Sequence, residues 1–302
     1  MKTLDAFDKQ YPTEDSCKAF LTAARWPKGV SCPRCNGTQK IYHLKSRPFH
    51  WVCKHEGCGG RNGYRFSILT YTIFQDTKIP LKIWFKIGYL MLTAKKGVSA
   101  LQLHRVIFGE DSGSDYHTTW YICMRWRAAM HGEVLQLTGE VEVDETFVGG
   151  KEKNKHKRKR IGPHTTGFTG KVAVIGAIAR KGMVVAKVIE NTNTDTLNAF
   201  VRQTVSEHVS LVATDEHSGY RNLKKQGYPH ETVSHSKGEY VRGLVHTANL
   251  DSFWSLFKRG IMGSFHHVSK EYLPLYLNEF SFRHNNRKNP EVFLDLLTTC
   301  GK

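Results

Sequence analysis

Two close pairs of cysteines lie in the N-terminal part of the chain. Cys32 and Cys35 have CxxC spacing, and Cys53 and Cys58 have CxxxxC spacing. Thiolates at the tips of two turns can converge tetrahedrally on Zn²⁺, with Zn–S bonds of about 2.3 Å. The alternatives are four unligated cysteines, a redox pair, or a site in which His55 replaces one cysteine. We predict structural Zn²⁺, because paired spacing without an export signal favours metal ligation over disulfides.

Three acids in the C-terminal half are candidates for a second kind of metal site. Asp144 lies within a valine-rich strand pattern, and Asp215 ends a short apolar strand pattern. Asp251 lies on a helix pattern, seven residues before Lys258, so these two side chains share a helix face. Two strand acids and one helix acid can hold a pair of Mg²⁺ ions about 3.5–4 Å apart, which activate the attacking and leaving oxygens of a phosphodiester. Each acid alone has the simpler interpretation of a solvated surface residue.

The charge of the chain favours a polyanionic partner. Of 302 residues, 44 are Lys or Arg and 27 are Asp or Glu, which gives a net charge of +17. Nucleic acid is the first candidate partner, and a merely soluble basic protein is the alternative. A hydrophobic content of 40% excludes a disordered chain. The first ten residues lack the apolar core of a signal peptide, and the longest apolar run is too short to span a membrane, so we expect no membrane partner.

Basic residues in two segments are candidate DNA contacts. Residues 151–160 contain seven basic residues and one acid, which is typical of a solvated loop that would order on DNA. Residues 95–130 have the pattern of a helix-turn-helix, whose second helix would enter the major groove with Thr118 and Thr119. An ordinary helical bundle is the alternative interpretation. The candidate contacts are Lys151, Lys153, Lys155, Lys157, Arg158, Lys159, Arg160, Arg125, Arg127 and Arg259.

Hydrophobic patterning predicts a multidomain α+β protein. The predicted segments are a helical segment at 1–27, a zinc ribbon at 28–70, a helical DNA-binding or linker module at 76–131, a mixed α/β domain at 138–290, and a tail at 291–302. Within the α/β domain we predict strands at 140–149, 171–180, 183–190 and 210–215, a helix at 194–208, and helices beginning near 249 and 269. The three acids therefore belong to one domain.

Several motifs resemble the ISXO-like family of bacterial insertion-sequence transposases, within the DDE superfamily. The motifs are VEVDETFVGG at 141–150, TDEHSGY at 214–220, HTANLDSFWSLFKRG at 246–260, HHVS at 266–269 and EFSFRHNNR at 279–287. The zinc ribbon and the KGVSA segment at 96–100 match as well, so the resemblance covers essentially the whole chain. It implies an RNase H-like catalytic domain that cuts and joins DNA ends with Mg²⁺ or Mn²⁺.

The resemblance also implies a role for each acid. Asp144 is the first catalytic acid, Asp215 the second and Asp251 the third, with Lys258 in the family's lysine position. Relatives commonly have Glu, or in some branches Asn, at the third position, and the shorter Asp251 requires a closer helix. We expect Asn249 to cap that helix.

The activity implied by the resemblance is cleavage with water as the nucleophile, followed by joining with a 3′-hydroxyl. The implied partners are the element's terminal inverted repeats and target DNA, with a homodimer or a higher assembly forming on DNA. The expected location is the bacterial cytoplasm, in association with the nucleoid. Two alternatives remain open at this point: a metal-dependent nuclease without joining activity, and a catalytically decayed DNA-binding regulator.

Overall fold

The computed structural model describes residues 3–110, 113, 115–132, 136–150, 156–160, 168–180, 182–234, 239, 241–243 and 245–300. The chain divides into two compact units, one of residues 1–130 and 288–302 and the other of residues 131–287. No helix in the described ranges is both long and apolar enough to cross a membrane.

The first unit contains a small antiparallel sheet and six helices in its described residues. Its helices are α1 (Leu4–Gln10), α2 (Glu14–Arg25), α3 (Leu81–Thr93), α4 (Ala100–Phe108), α5 (Tyr116–Ala129) and α9 (Val292–Thr299). Its strands are β1 (Ile41–His43), β2 (His50–Cys53) and β3 (Tyr64–Ser67), in that spatial order. Trp51 on β2 packs against Trp26 and Phe66, with ring centroids 5.1 and 5.9 Å away. These three aromatic rings belong to the small buried core of the ribbon.

Helix α9 replaces the expected C-terminal tail. Phe293, Leu296 and Leu297 are buried, and the Phe293 ring lies 5.7 Å from Phe7 and 5.8 Å from Phe85. Apolar residues spaced one helical turn apart explain the helix, because they give it a face that must be covered. The interpretation of 291–302 as a tail is therefore wrong for the described residues up to 300.

Helix α5 packs one face into the core of the first unit. Thr119 is fully buried and its hydroxyl lies 3.0 Å from Nδ1 of His104. Trp126 is fully buried against Gly88 of α3, where a Cβ would come within 2.6 Å of the indole. Arg127 is 1% exposed. A buried guanidinium cannot reach a phosphate, so the prediction that Arg127 contacts DNA is wrong.

The second unit is built on a five-stranded sheet. The strands are β4 (Glu140–Val148), β5 (Val172–Ala179), β6 (Val184–Ile189), β7 (Leu211–Thr214) and β8 (His230–Thr232). Their spatial order is β6-β5-β4-β7-β8, with antiparallel pairs between β4, β5 and β6 and parallel pairs between β4, β7 and β8. The four predicted strands are confirmed, and the three-residue strand β8 was not predicted because it lacks an apolar pattern.

Three helices accompany this sheet. They are α6 (Thr194–Thr204), α7 (Ala248–Gly260) and α8 (Leu273–Asn285), and α7 continues into a π-helical turn at Ile261–Phe265. Alternate residues of β4 face opposite ways, because side chains in a strand alternate between its faces. Val141 and Val143 join an apolar core with residues of α6, whereas Glu142 and Asp144 contact residues of α7. The helix acid is therefore carried on the same side of the sheet as Asp144.

Candidate active site

The four paired cysteines form one cluster in the first unit. Their sulfur atoms all lie within 4.8 Å of one another, with 3.4 Å between Cys32 and Cys58 and 3.8 Å between Cys35 and Cys53. A tetrahedron with Zn–S bonds of about 2.3 Å separates its sulfurs by roughly 3.8 Å, so this donor set fits Zn²⁺. His55 is exposed and does not belong to the cluster. The arrangement favours four thiolate ligands over the alternative that included a histidine.

Loss of the metal is expected to unfold the ribbon, because the apolar core of the ribbon is too small to be stable alone. The purified protein should contain one zinc per chain by metal analysis. Cys53→Ser should lower the zinc content and expose the adjacent Trp51, which is measured as a shift of tryptophan fluorescence. Cys17→Ser is the matched control, because Cys17 is buried on α2 outside the cluster, and it should keep its zinc. Unchanged zinc content in Cys53→Ser would refute the assignment.

The second donor cluster lies where β4 runs past the end of β7. The parallel ladder pairs residues 140–142 of β4 with residues 211–213 of β7, and β7 ends at Thr214. Asp215 follows directly and meets Asp144, and the adjacent Glu145 joins them. Each of these three residues offers a carboxylate oxygen within 4.8 Å of the others. An all-oxygen donor set suits a hard divalent cation such as Mg²⁺ or Mn²⁺.

Asp144 is held in place by the helix that faces it. The indole Nε1 of Trp254 donates a hydrogen bond of 3.1 Å to Oδ2 of Asp144. Gly176 is the β5 partner of Asp144, and a Cβ there would come within 2.6 Å of the Trp254 ring. The absence of a side chain at Gly176 therefore makes room for the indole. Burial, and then the carboxylates of Glu145, Asp215 and Asp251, raise the pKa of Asp144 to about 8. A bound cation would offset this repulsion.

A cleft of about 810 Å³ opens beside these carboxylates. It is lined by Asp144, Glu145, Thr146, Asp251, Trp254, Ser255, Lys258, Arg259, Met262 and Gly263. Asp251 and Lys258 share this cleft, which agrees with their spacing of two helical turns. Asp251 lies outside the tight three-carboxylate group, and its Oδ2 accepts a hydrogen bond of 3.1 Å from the Thr247 hydroxyl.

Glu142 fixes the beginning of α7 to the sheet. Its buried carboxylate accepts hydrogen bonds from the backbone N–H groups of Asn249 and Leu250, at 2.9 and 3.1 Å. The Asn249 side-chain amide donates to the same carboxylate at 2.7 Å, and Arg180 Nε donates to it at 3.3 Å. The residue at the cap position is Thr247, so the prediction that Asn249 caps the helix is wrong. A carboxylate from the neighbouring strand performs the capping instead.

The residues predicted to contact DNA differ in their exposure to solvent. Lys157, Arg158 and Arg160 are exposed, and Arg259 lines the cleft. Arg125 is half-buried and donates to the backbone carbonyls of Ile73 and Thr72, at 2.9 and 3.2 Å, and to the Tyr121 hydroxyl. These bonds connect α5 to the backbone at residues 72–73, so Arg125 has a structural role here. Lys151, Lys153 and Lys155, and the side chain of Lys159, lie outside the described part of the chain.

Two site residues were not found from the sequence. Glu142 and Glu145 both lie within the VEVDETFVGG motif, but only Asp144 of that motif is among the predicted site residues. The signal in the sequence is the presence of three acids among residues 142–145 of a valine-rich strand pattern, since a charged residue in a central strand is costly unless it is paired or binds metal.

The segments that carry the cysteine cluster and the carboxylate cluster both match families of known proteins. A family model described as the ISXO2-like transposase domain matches residues 136–285, and one described as the transposase zinc-ribbon domain matches residues 12–61. A chain of Halobacterium salinarum, described as an uncharacterized protein in transposable element ISH50, is 26% identical over 304 residues. That alignment covers 97% of this chain and 98% of the other.

Proposed function

Because this chain belongs to the ISXO2-like transposase family, we propose that it cuts the ends of an insertion element and joins them to target DNA. The observation that carries the proposal is the cluster of Asp144, Glu145 and Asp215 beside an open cleft that Asp251 also lines, all within the matched residues 136–285. Carboxylates grouped beside a cleft with a lysine and an arginine suit a substrate that is itself a polyanion.

The topology of the second unit supports an RNase H-like assignment for this domain. Three antiparallel strands lead into two parallel ones, and the longest strand, β4, is at the centre. The first acid, Asp144, lies on this central strand, and the second, Asp215, follows the adjacent parallel strand. Ligand sites in sheets of this kind gather at the ends of strands, and Asp215 directly follows the end of β7, with Asp144 of β4 close to it.

In the proposed reaction, water attacks a phosphodiester at the element's end and leaves a 3′-hydroxyl and a 5′-phosphate. That hydroxyl then attacks a phosphodiester of the target strand, forms a new P–O bond and releases the target's own 3′-hydroxyl. Divalent cations held by Asp144, Asp215 and Asp251 would supply Lewis-acid activation of the attacking and leaving oxygens. Trp254 keeps the Asp144 carboxylate directed at the cleft, and Lys258 is positioned to pair with a DNA phosphate.

DNA binding in this proposal depends on exposed cations of the second unit. Lys258 and Arg259 lie on α7 beside the carboxylates, and the segment 156–160 follows β4, the strand that carries Asp144. The partners we propose are the terminal repeats of the element and its target DNA, with more than one copy of the chain assembled on two DNA ends. Work on chromosomal DNA would place the protein at the nucleoid.

Removing two of these cations should flatten the salt dependence of DNA binding. Each phosphate contact contributes a slope of about −0.9 in log affinity against log salt, so Lys157→Gln with Arg158→Gln should reduce the slope by about 1.8. The matched control is Lys187→Gln with Lys225→Gln, which removes two exposed cations of the same unit outside the cleft. Fluorescence anisotropy titrations between 50 and about 200 mM salt give the slopes. An equal slope in the two double variants would show that 157 and 158 are not DNA contacts.

The proposed function is tested with DNA that carries the element's own ends. Matched inverted repeats flanking the gene supply those ends, and a labelled duplex of them is incubated with a target plasmid in Mg²⁺. Covalent joining of label to plasmid supports a transposase. Cut ends without joined product indicate a metal-dependent nuclease, and binding without cutting indicates a regulator that has lost catalysis.

A further inference from the structure

Glu145 reaches the carboxylate cluster from the opposite face of the sheet. Alternation directs it towards the α6 side, together with Val143, whereas Asp144 contacts α7. The two carboxylates still meet, because β7 ends at Thr214 and leaves that side of β4 without a neighbouring strand. Glu145 is therefore a third carboxylate at the end of β7, and its side chain is only 7% exposed.

A fixed set of neighbours holds Glu145 at this position. The hydroxyl of Tyr220, whose side chain is fully buried, donates a hydrogen bond of 2.5 Å to Oε2 of Glu145. Nδ1 of His217 lies 3.7 Å from Oε1. The backbone N–H of His217 also donates to Oδ1 of Asp215 at 3.0 Å, so one turn orients two of the three acids. This preorganisation around a like-charged cluster is what a metal-binding site requires.

We propose that Asp144, Glu145 and Asp215 together hold one divalent cation, and that this cation position is complete without Asp251. The inference rests on the proposed function, because it assigns residues to the metal site of that reaction. It differs from the arrangement implied by the sequence, in which the third carboxylate comes from α7. Asp251 is exposed and lies outside the tight group, so its contribution is to a second cation or to the bound DNA.

The test is a Mn²⁺ titration of the zinc-loaded full-length protein without DNA. The electron paramagnetic resonance signal of free Mn²⁺ measures how much of the ion remains unbound. We expect one bound Mn²⁺ per chain for the parent protein. Glu145→Gln should weaken binding by about 100-fold, because it removes a charged ligand while its amide oxygen still accepts the Tyr220 hydroxyl. Tyr220→Phe should weaken binding by about 10-fold, because the carboxylate remains but loses its support. Asp251→Ala should leave the affinity within about twofold.

The matched control is Glu231→Gln, an exposed acid on β8 that pairs with Arg242 and lies outside the cluster; it should bind Mn²⁺ as the parent does. Parental affinity in Glu145→Gln, an equal loss in Asp251→Ala, or no Mn²⁺ binding without DNA would each overturn the inference. If Glu145→Gln does not fold, as judged by circular dichroism, the other two variants decide the result. The inference then stands only if Tyr220→Phe binds Mn²⁺ more weakly than Asp251→Ala does.

Failure of this inference is distinguishable from failure of the proposed function. The titration contains no DNA, so the expected Mn²⁺ affinities with no joined product would contradict only the transposase proposal. Joined product together with parental Mn²⁺ affinity in Glu145→Gln would contradict only the role of Glu145.

Discussion

Asp144→Asn should lower the rate of Mg²⁺-dependent DNA cleavage by about 10³-fold or more, with DNA affinity unchanged. Asn has nearly the same volume, and its carbonyl oxygen still accepts the Trp254 indole N–H, so α7 should keep its position. The lost property is the ability of Asp144 to become an anion that binds a cation together with Glu145 and Asp215. Single-turnover cleavage of labelled end DNA measures the rate, and anisotropy measures the affinity.

The matched control for that substitution is Asp195→Asn, which neutralises an exposed acid in the first turn of α6, outside the cleft. It should cleave at the parental rate. Parental cleavage by Asp144→Asn would show that another residue carries the first acid role.

Glu142→Ala should lower the free energy of unfolding by about 3–5 kcal/mol, because breaking a buried charge network leaves its partners unpaired. The substitution would leave the N–H groups of Asn249 and Leu250 without their acceptor at the beginning of α7. It would also remove the fully buried partner of Arg180. Urea unfolding of the full-length protein, monitored by circular dichroism, measures the change in the free energy of unfolding.

Glu140→Ala is a close control for Glu142→Ala. Glu140 lies on the same strand and also pairs with Arg180, but its side chain is 31% exposed. Partly exposed ion pairs contribute about 0–1 kcal/mol, so this variant should lose little stability. Equal losses in the two variants would contradict the capping role of Glu142.

Much of the site could be predicted from the sequence, because its main acids lie in regular strand patterns. Valine-rich and apolar runs identified β4 and β7, and these placed Asp144 within the first strand and Asp215 at the end of the second. The cysteine spacing predicted the metal cluster for a similar reason, since ligands in tight turns are close in sequence. Local sequence patterns were sufficient to predict a site residue wherever the contacts that position it are local in sequence.

The remaining features depend on register and packing, which no local pattern contains. Glu145 joins the cluster only because β7 stops two residues short of it, and strand lengths are set by tertiary contacts. Gly176 is decisive only because it faces Asp144 across the ladder and admits Trp254. Arg127 suggested DNA contact by its charge, yet it lies on the face of α5 that is buried in the core.

The central claim is that a divalent cation at the carboxylates of the cleft contacts the scissile phosphate. The most direct measurement is cleavage of element-end DNA in which one non-bridging oxygen of that phosphate is replaced by sulfur. Mg²⁺ is a hard ion that binds sulfur poorly, whereas Mn²⁺ tolerates it. We expect one sulfur stereoisomer to be cut slowly in Mg²⁺ and at the rate of unmodified DNA in Mn²⁺, with no rescue in Asp144→Asn. Equal cleavage of both stereoisomers and of unmodified DNA in Mg²⁺ would contradict the claim.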